Sequence, residues 1–300
     1  MNAAVIVPIV PAIQLKRILY ATDFSEGSRE ALPVVCAIAR RYDSEVLLAH
    51  VSPHVVYPLV TPEVLLDMNQ KREREATQEF EELVRVTAAL HISAKPILKS
   101  GEPVDELERI VREKGVDLVI LSTHGRLGIK HMVMGSVAEA LFRKLACPVL
   151  TVGPHLDKRF LNHVEIKNIL FPTDLSEESR AVFPYLASLA HEYHAKITLL
   201  HVLPMETRSN PDARRLAEPL RAEMQRIFAP AISPECQAEF VIESGDAAER
   251  ILQAGRAADL IGFGVRKAGE VTNHLRNTVT YRVLVNATCP VLTSRYPHQW

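Results

Sequence analysis

No C-x-x-C pair occurs anywhere in the 300-residue chain, and its four cysteines, Cys36, Cys147, Cys236 and Cys289, lie far apart. That spacing excludes the ligand pattern of a structural zinc site. A chain of this length does not need disulfide staples, so the four read as reduced, mostly buried thiols of a cytoplasmic protein. An excess of one charge is lacking too. The 35 Lys and Arg against 36 Asp and Glu leave a net charge of −1. A molecule so balanced has no overall field to draw in nucleic acid or an anionic membrane. The apolar start, MNAAVIVPIVPAIQL, has no basic region or small-residue cleavage site, and prolines interrupt it. It also falls short of the roughly 20 apolar residues that span a bilayer. It reads as a loosely attached arm that packs on a partner.

The sharper catalytic motifs are missing. There is no G-x-x-x-x-G-K-[ST], no G-x-G-x-x-G after the first strand, no G-x-S-x-G and no H-E-x-x-H. Walker-type NTPases, dinucleotide dehydrogenases, serine hydrolases of the elbow type and zinc proteases are thereby disfavoured. No nucleophile–base pair can be named, so no catalytic residue is assigned and the chain is not read as an enzyme. His124 and His131, seven residues apart in a loop, are no metal signature either, and no metal site is assigned.

What the chain does have is itself, twice. KRILYATDFSEGSREALPVVCAIARRYDSEVLLAHV from Lys16 aligns without a gap to KNILFPTDLSEESRAVFPYLASLAHEYHAKITLLHV from Lys167, at an offset of 151. Asp117 to Cys147 and Asp259 to Cys289 are each 30 residues apart and align in the same way. The protein is a tandem duplication. Its domains are residues 1–153 and 165–296, with the boundary in GPHLDKRFLNHVE. With 47% hydrophobic residues, either half can bury a core.

Each repeat alternates apolar runs with helical patterns. In the first, strands are expected at Arg17–Ala21, Glu45–Val51, Ala94–Leu98, Asp117–Ser122 and Pro148–Val152. Helices are expected at Glu26–Tyr42, Pro62–Leu90, Pro103–Lys114 and Ser136–Leu145. Nearly continuous apolar strands such as DLVILS suit a parallel sheet covered on both faces. Strand–helix alternation then gives two doubly wound α/β domains. In such a sheet a ligand sits beyond the carboxyl ends of the strands, where the strand order reverses. For the order 3-2-1-4-5 that point lies between Asp23, after strand 1, and STHGRLGIKHMVMGS (Ser122–Ser136), after strand 4.

The second of these stretches can hold a phosphate. Gly125 and Gly128 leave backbone bare, Gly135 stands at the lip of a helix, and Arg126, Lys130 and His131 add positive charge. Asp23, across the cleft, could accept from a ribose hydroxyl. A plainer account stands beside each of these. Ser136-Val-Ala-Glu139 fits a capping box, and Asp23-Phe-Ser-Glu26 fits a capping pattern as well.

ILYATDFSE, VLLAHV and STHGRLGIKHMVMGSVAEALFRKLACPVLTV together resemble the universal stress protein (UspA-like) family in its tandem form. The likeness covers almost the whole chain. It implies five-stranded sheets in the order 3-2-1-4-5, a Rossmann-like fold of the adenine nucleotide alpha hydrolase type. The ATP-binding members carry G-x2-G-x9-G-[ST], and that spacing is kept here from Ser122 through Gly125 to Gly135-Ser136, with Ser122 in place of the first glycine. The resemblance implies ATP as ligand, with or without Mg2+. It implies that Ala21, Thr22 and Asp23 border the adenosine and that backbone at Val51 meets the adenine. Gly125, Gly135, Ser136 and Val137 would hold the phosphates, with Ser122 and His124 lining the loop and Arg126 nearby.

The second repeat departs from the pattern. Lys267 stands opposite Gly125, Glu270 opposite Gly128, and Asn277-Thr278 opposite Gly135-Ser136, so this half is expected to bind ATP weakly or not at all. Asp174 keeps the place of Asp23, which favours a capping role for both. Family members pair through the edge of strand 5, which implies an intrachain pseudo-dimer of the repeats, with a homodimer as a further step. The expected function is a cytoplasmic stress-response protein that binds ATP in its first repeat. The alternatives are an interaction protein of the same fold without nucleotide, and a slow ATP-hydrolysing or adenylyl-transferring enzyme.

Overall fold

The computed structural model describes residues 13–53, 61–124, 134–145, 147–204, 211–265 and 278–295. They form two compact units. One comprises Gln14–Pro154 with Lys158–Val164. The other comprises the chain from Glu165 together with Ile13 and His155–Asp157. Within this second unit the Ile13 N–H donates to Ser188 Oγ at 2.9 Å, and the Asp157 N–H to the Thr288 carbonyl at 2.8 Å.

The first unit runs β1 (Arg17–Ala21), α1 (Glu26–Tyr42), β2 (Glu45–Ser52), α2 (Pro62–Ala89), β3 (Ala94–Ser100), α3 (Pro103–Lys114), β4 (Leu118–Ser122), α4 (Ser136–Lys144), β5 (Val149–Val152) and a short α5 (Arg159–Asn162). All neighbouring strands are parallel, in the order β3-β2-β1-β4-β5. In the second unit the chain passes through β6 (Asn168–Pro172), α6 (Glu177–Tyr193), β7 (Lys196–Leu203), α7 (Pro211–Phe228), β8 (Ala238–Ser244), α8 (Ala247–Gly255), β9 (Leu260–Val265), α9 (Val279–Asn286) and β10 (Val291–Arg295). Its strand order, β8-β7-β6-β9-β10, is the same arrangement over again.

The sequence places the elements for local reasons. Ile18, Leu19 and Tyr20 of β1 are fully buried, as a central strand with helices on both faces requires. At the foot of each sheet an aspartate ties two strands together. Asp117 Oδ2 accepts from the Arg17 N–H at 2.8 Å, and Asp259 Oδ2 from the N–H groups of Lys167 and Asn168 at 2.9 and 2.8 Å. These are the aspartates that open the aligned DLVIL and DLIGF runs. At the top, α1 starts on a Ser25 cap whose Oγ accepts from the Ser28 N–H, and α6 repeats this with Ser176 and Ser179. Tyr20 donates its hydroxyl to the Ser28 carbonyl at 2.5 Å, fastening the first turn of α1 to the sheet.

Asp246 caps α8 by accepting from the Glu249 N–H at 2.9 Å and also meets Arg282 Nη1 of α9 at 2.8 Å. The Arg282 guanidinium first, and the Glu249 N–H after it, hold this carboxyl below the usual carboxylate range. A folded-state value below the unfolded one stabilises the fold above the unfolded value of about 3.9. That contribution is lost as pH falls through the folded value. Asp246→Ala should therefore cost about 1 kcal/mol at neutral pH, the worth of a helix cap. It should lower the melting temperature by about 3 °C. The deficit should shrink on acidification, and a deficit that held steady down to pH 2 in thermal melts would refute the assignment.

Candidate functional site

A cleft of about 930 Å³ opens at the carboxyl ends of β1, β2 and β4 in the first unit. The strand-order reversal between β1 and β4 creates it. The end of β1 supplies Ala21, Thr22 and Asp23, and β2 supplies Val51. Ser122 and His124 come from the end of β4, and Gly135, Ser136 and Val137 from the start of α4. Gly125 and Arg126 lie outside the described residues, as do Gly128, Lys130, His131, Lys267, Glu270 and Asn277.

The capping expectations are met only in altered form. Gly135, not Ser136, is the N-cap of α4, with φ −60° and ψ 144° and no side chain to cap the helix. Its N–H donates to the Thr123 carbonyl at 2.7 Å, which fixes Gly135 as the half-helical residue and draws Ser136 into the first turn. The S-x-x-E pattern is therefore out of register and makes no box. In the second repeat Thr278 does cap α9, accepting from the Tyr281 N–H at 3.2 Å. The two repeats thus differ where an anion would dock: one helix start is bare glycine, the other is closed by a hydroxyl.

Asp23 stands two residues ahead of the cap of α1 and supports it. Its Oδ1 accepts from the Ser25 N–H at 3.1 Å, the Ser25 hydroxyl at 2.6 Å and the Ser28 hydroxyl at 2.5 Å. Asp174 makes the same three bonds to Ser176 and Ser179. One carboxylate oxygen thus has a structural duty in both repeats.

Ser122 is more than a small residue that keeps clear of a ligand. Its Oγ lies 3.0 Å from the His124 carbonyl, 3.2 Å from His124 Nδ1 and 3.3 Å from the His124 amide. A hydroxyl and an imidazole so close could suggest a nucleophile and its base. Here the single hydroxyl proton faces the His124 and Val152 carbonyls as well, and the three bonds to residue 124 make a local clasp rather than a reactive pair. The Thr123 N–H donates to the Val152 carbonyl at 2.9 Å. On the far side of His124 sits Gly27, in the first turn of α1. A Cβ on Gly27 would come within 2.8 Å of His124 Nε2, 2.9 Å of Cδ2 and 2.9 Å of the backbone oxygen.

His50 and Phe24 are among the cleft residues that sequence reasoning missed. His50 Nδ1 lies 2.8 Å from the Thr22 carbonyl, and His201 repeats the contact with Thr173. A carbonyl only accepts, so Nδ1 carries the proton and the ring ties β2 to the end of β1. Phe24 takes a left-handed backbone, φ 62°, and its counterpart Leu175 has φ 63°. The Phe24 ring lies 4.5 Å from that of His50 and meets Phe80 edge-on at 5.2 Å. The repeated histidine at one position before Val51 and Val202 was the visible signal; the turn conformation had none.

Charge is unevenly placed around the cleft. Along its α2 wall run Glu75, Glu79 and Glu82 with Arg72. Arg29 of α1 reaches Glu79 at 2.5 Å and Glu82 at 3.4 Å. The α4 end instead presents the N-terminal amides of a helix, equivalent to about half a positive charge. All four cysteines are free, and burial pushes the Cys36 thiol up to about 11, so it stays protonated at neutral pH. Among the described residues no group of three or more His, Cys, Asp and Glu could hold a metal. No helix among them is long and apolar enough to cross a membrane.

Known proteins resemble this chain in both halves. The model of the universal stress protein family matches residues 14–153 and again 165–295. Universal stress protein MJ0577 of Methanocaldococcus jannaschii is 30% identical over 156 residues, which are 47% of this chain and 96% of that protein. Universal stress protein YxiE of Bacillus subtilis is 28% identical over 144 residues, 45% of this chain and 97% of its own length. A crystal structure of a universal stress protein from Archaeoglobus fulgidus shares the fold with a TM-score of 0.71. It covers 95% of this chain and 100% of the other at 20% identity.

Proposed function

Because the chain belongs to the universal stress protein family, both of its repeats matching that family's model, we propose that its first repeat binds ATP and that the protein acts as a regulatory stress protein of the cytoplasm. The observation that carries this reading is the start of α4. A helix N-terminus without a side-chain cap, headed by bare Gly135, opens into a cleft of about 930 Å³. Such a volume suits a ligand of nucleotide size, and such a helix start suits its phosphates.

The charge pattern orients the ligand. Phosphates belong at Gly135, Ser136 and Val137, with Gly125 and Arg126, because the unpaired amides of a helix start favour an anion there. The adenosine then lies towards Ala21, Thr22, Asp23 and Val51. Asp23 would accept from a ribose hydroxyl, and Ser122 and His124 flank the passage between the two ends. In the second repeat the Thr278 cap already serves the helix start, so that half is assigned a structural part. Mg2+, where it accompanies ATP, would neutralise the phosphates.

Calorimetric titration of the purified protein with ATP tests this. Binding at one ATP per chain is expected, with the Thr278 half silent. Two sites per chain would overturn the division between repeats, and no heat or saturation into the millimolar range would overturn the nucleotide reading.

A further inference from the structure

We propose that Gly27, on α1 and outside the phosphate-loop motif, is a positioning residue of the cleft: it is the bare seat against which His124 is held so that the end of β4 and the start of α4 meet in register. The inference rests on the reading that the cleft takes a nucleotide.

Glycine at this position needs a reason. It is buried in the first turn of a regular helix, where alanine has the higher helix propensity. Its backbone is helical, so no left-handed turn requires it. What it provides is room. Of the three atoms a Cβ would strike, two belong to the His124 ring, and the third, at 2.9 Å, is the His124 carbonyl oxygen. A ring can rotate away; a backbone oxygen moves only with its chain.

That chain has little freedom on its other side. The Ser122 hydroxyl grips the amide, carbonyl and Nδ1 of His124. Thr123, between them, receives the Gly135 N–H on its carbonyl at 2.7 Å. Gly27, His124, Thr123 and Gly135 therefore form one chain of contacts from α1 to the first amides of α4. A side chain at position 27 pushes on that chain at its far end.

The second repeat shows the same junction solved the other way. Glu178 stands where Gly27 stands, and Gly264 stands where Ser122 stands. A Cβ on Gly264 would come within 2.7 Å of the Glu178 carbonyl carbon and 2.9 Å of Ser179 Cα. Each repeat keeps one bare position where the first helix meets the fourth strand. With the glycine on the helix, the strand end keeps a hydroxyl clasp. With the glycine on the strand, the clasp is gone, and this is the repeat whose last helix starts on a capping threonine.

Two substitutions approach the junction from its two sides. Gly27→Ala presses on His124 from α1, and Ser122→Ala releases it on the strand side without adding bulk. Each is expected to weaken ATP binding about tenfold with its melting temperature within about 3 °C of the parent, and the double variant should lose less than the product of the two, since both act on one residue. In the absence of nucleotide, both should speed hydrogen exchange at the Gly135 amide, read by NMR. Parental affinity and exchange in both variants would overturn the proposal, as would strictly multiplicative losses. If the parent itself binds no ATP, the nucleotide reading falls alone. Exchange at Gly135 then decides the positioning role: faster in the variants upholds it, unchanged removes it. Should Gly27→Ala not fold, affinity and Gly135 exchange in Ser122→Ala decide the matter by the same two outcomes.

Discussion

Gly135→Val should abolish ATP binding while leaving the fold intact. The backbone at 135, φ −60° and ψ 144°, is ordinary extended geometry that valine adopts readily. A Cβ there would meet the Thr123 carbonyl at 3.5 Å, a normal contact. The empty protein thus tolerates a side chain, and the melting temperature should move by no more than about 2 °C. A ligand would not tolerate it. Gly135 lines the cleft beside Ser136 and Val137, so the two valine methyls would take up space where the phosphate oxygens are proposed to sit. Affinity should fall by at least ~100-fold, equivalent to about 2.7 kcal/mol. Gly135→Ala should fall between valine and the parent. ATP at 100 times the parent's dissociation constant should stabilise the parent by about 2.7 kcal/mol and the valine variant by no more than about 0.4 kcal/mol. A valine variant that binds ATP as the parent does would remove the phosphates from the start of α4.

Phe228→Ala should produce the largest loss of stability and no loss of nucleotide. Phe171 of β6, Phe183 of α6 and Phe228 of α7 are at most 1% exposed, and their ring centroids lie 4.7 to 5.5 Å apart. The trio joins three elements of the second unit. Truncating one such ring leaves a cavity that neighbours only partly fill, at a cost of about 3–5 kcal/mol. The second unit should therefore melt on the order of 10 °C lower. ATP affinity measured below that transition should match the parent, because every described residue of the cleft belongs to the first unit. Scanning calorimetry with and without ATP separates the two effects. A shift under 3 °C would show that the trio does not carry the core.

Much of the architecture was legible because it is written in local periodicity and then written again. The helices at Glu26–Tyr42 and Pro103–Lys114 have the bounds expected of them, and the remaining elements of the first repeat differ by at most two residues at an end. β3 runs on to Ser100 because pairing with β2 continues through Ser52, which side-chain pattern does not report. The site was legible as a place and less so as a mechanism. Spacing brought Ser122 and Gly135 together, but it misplaced the cap of α4, since S-x-x-E marks a helix start only to within a residue. It was the Thr123 carbonyl, from another element, that chose Gly135. Gly27 and His124 are 97 residues apart, and no local rule joins them. The alignment of the repeats did contain the clue, a glycine that changes partner from position 27 to position 264. It becomes readable only when the helix start and strand end are known to touch.

The shared junction also limits how the repeats can be recombined. Grafting TDLSEES from the second half onto the first would set a glutamate against His124. Moving the strand end STHG into the second half would set a serine against the Glu178 backbone. Either graft works only if helix start and strand end travel together. A route from one arrangement to the other through an intermediate with glycine at both positions adds no bulk at the junction, whereas one with side chains at both presses the helix start against the strand end. Since their duplication, the two halves have become non-interchangeable parts, and a designer wishing to restore a nucleotide cleft to the second half must exchange both segments, not the loop alone.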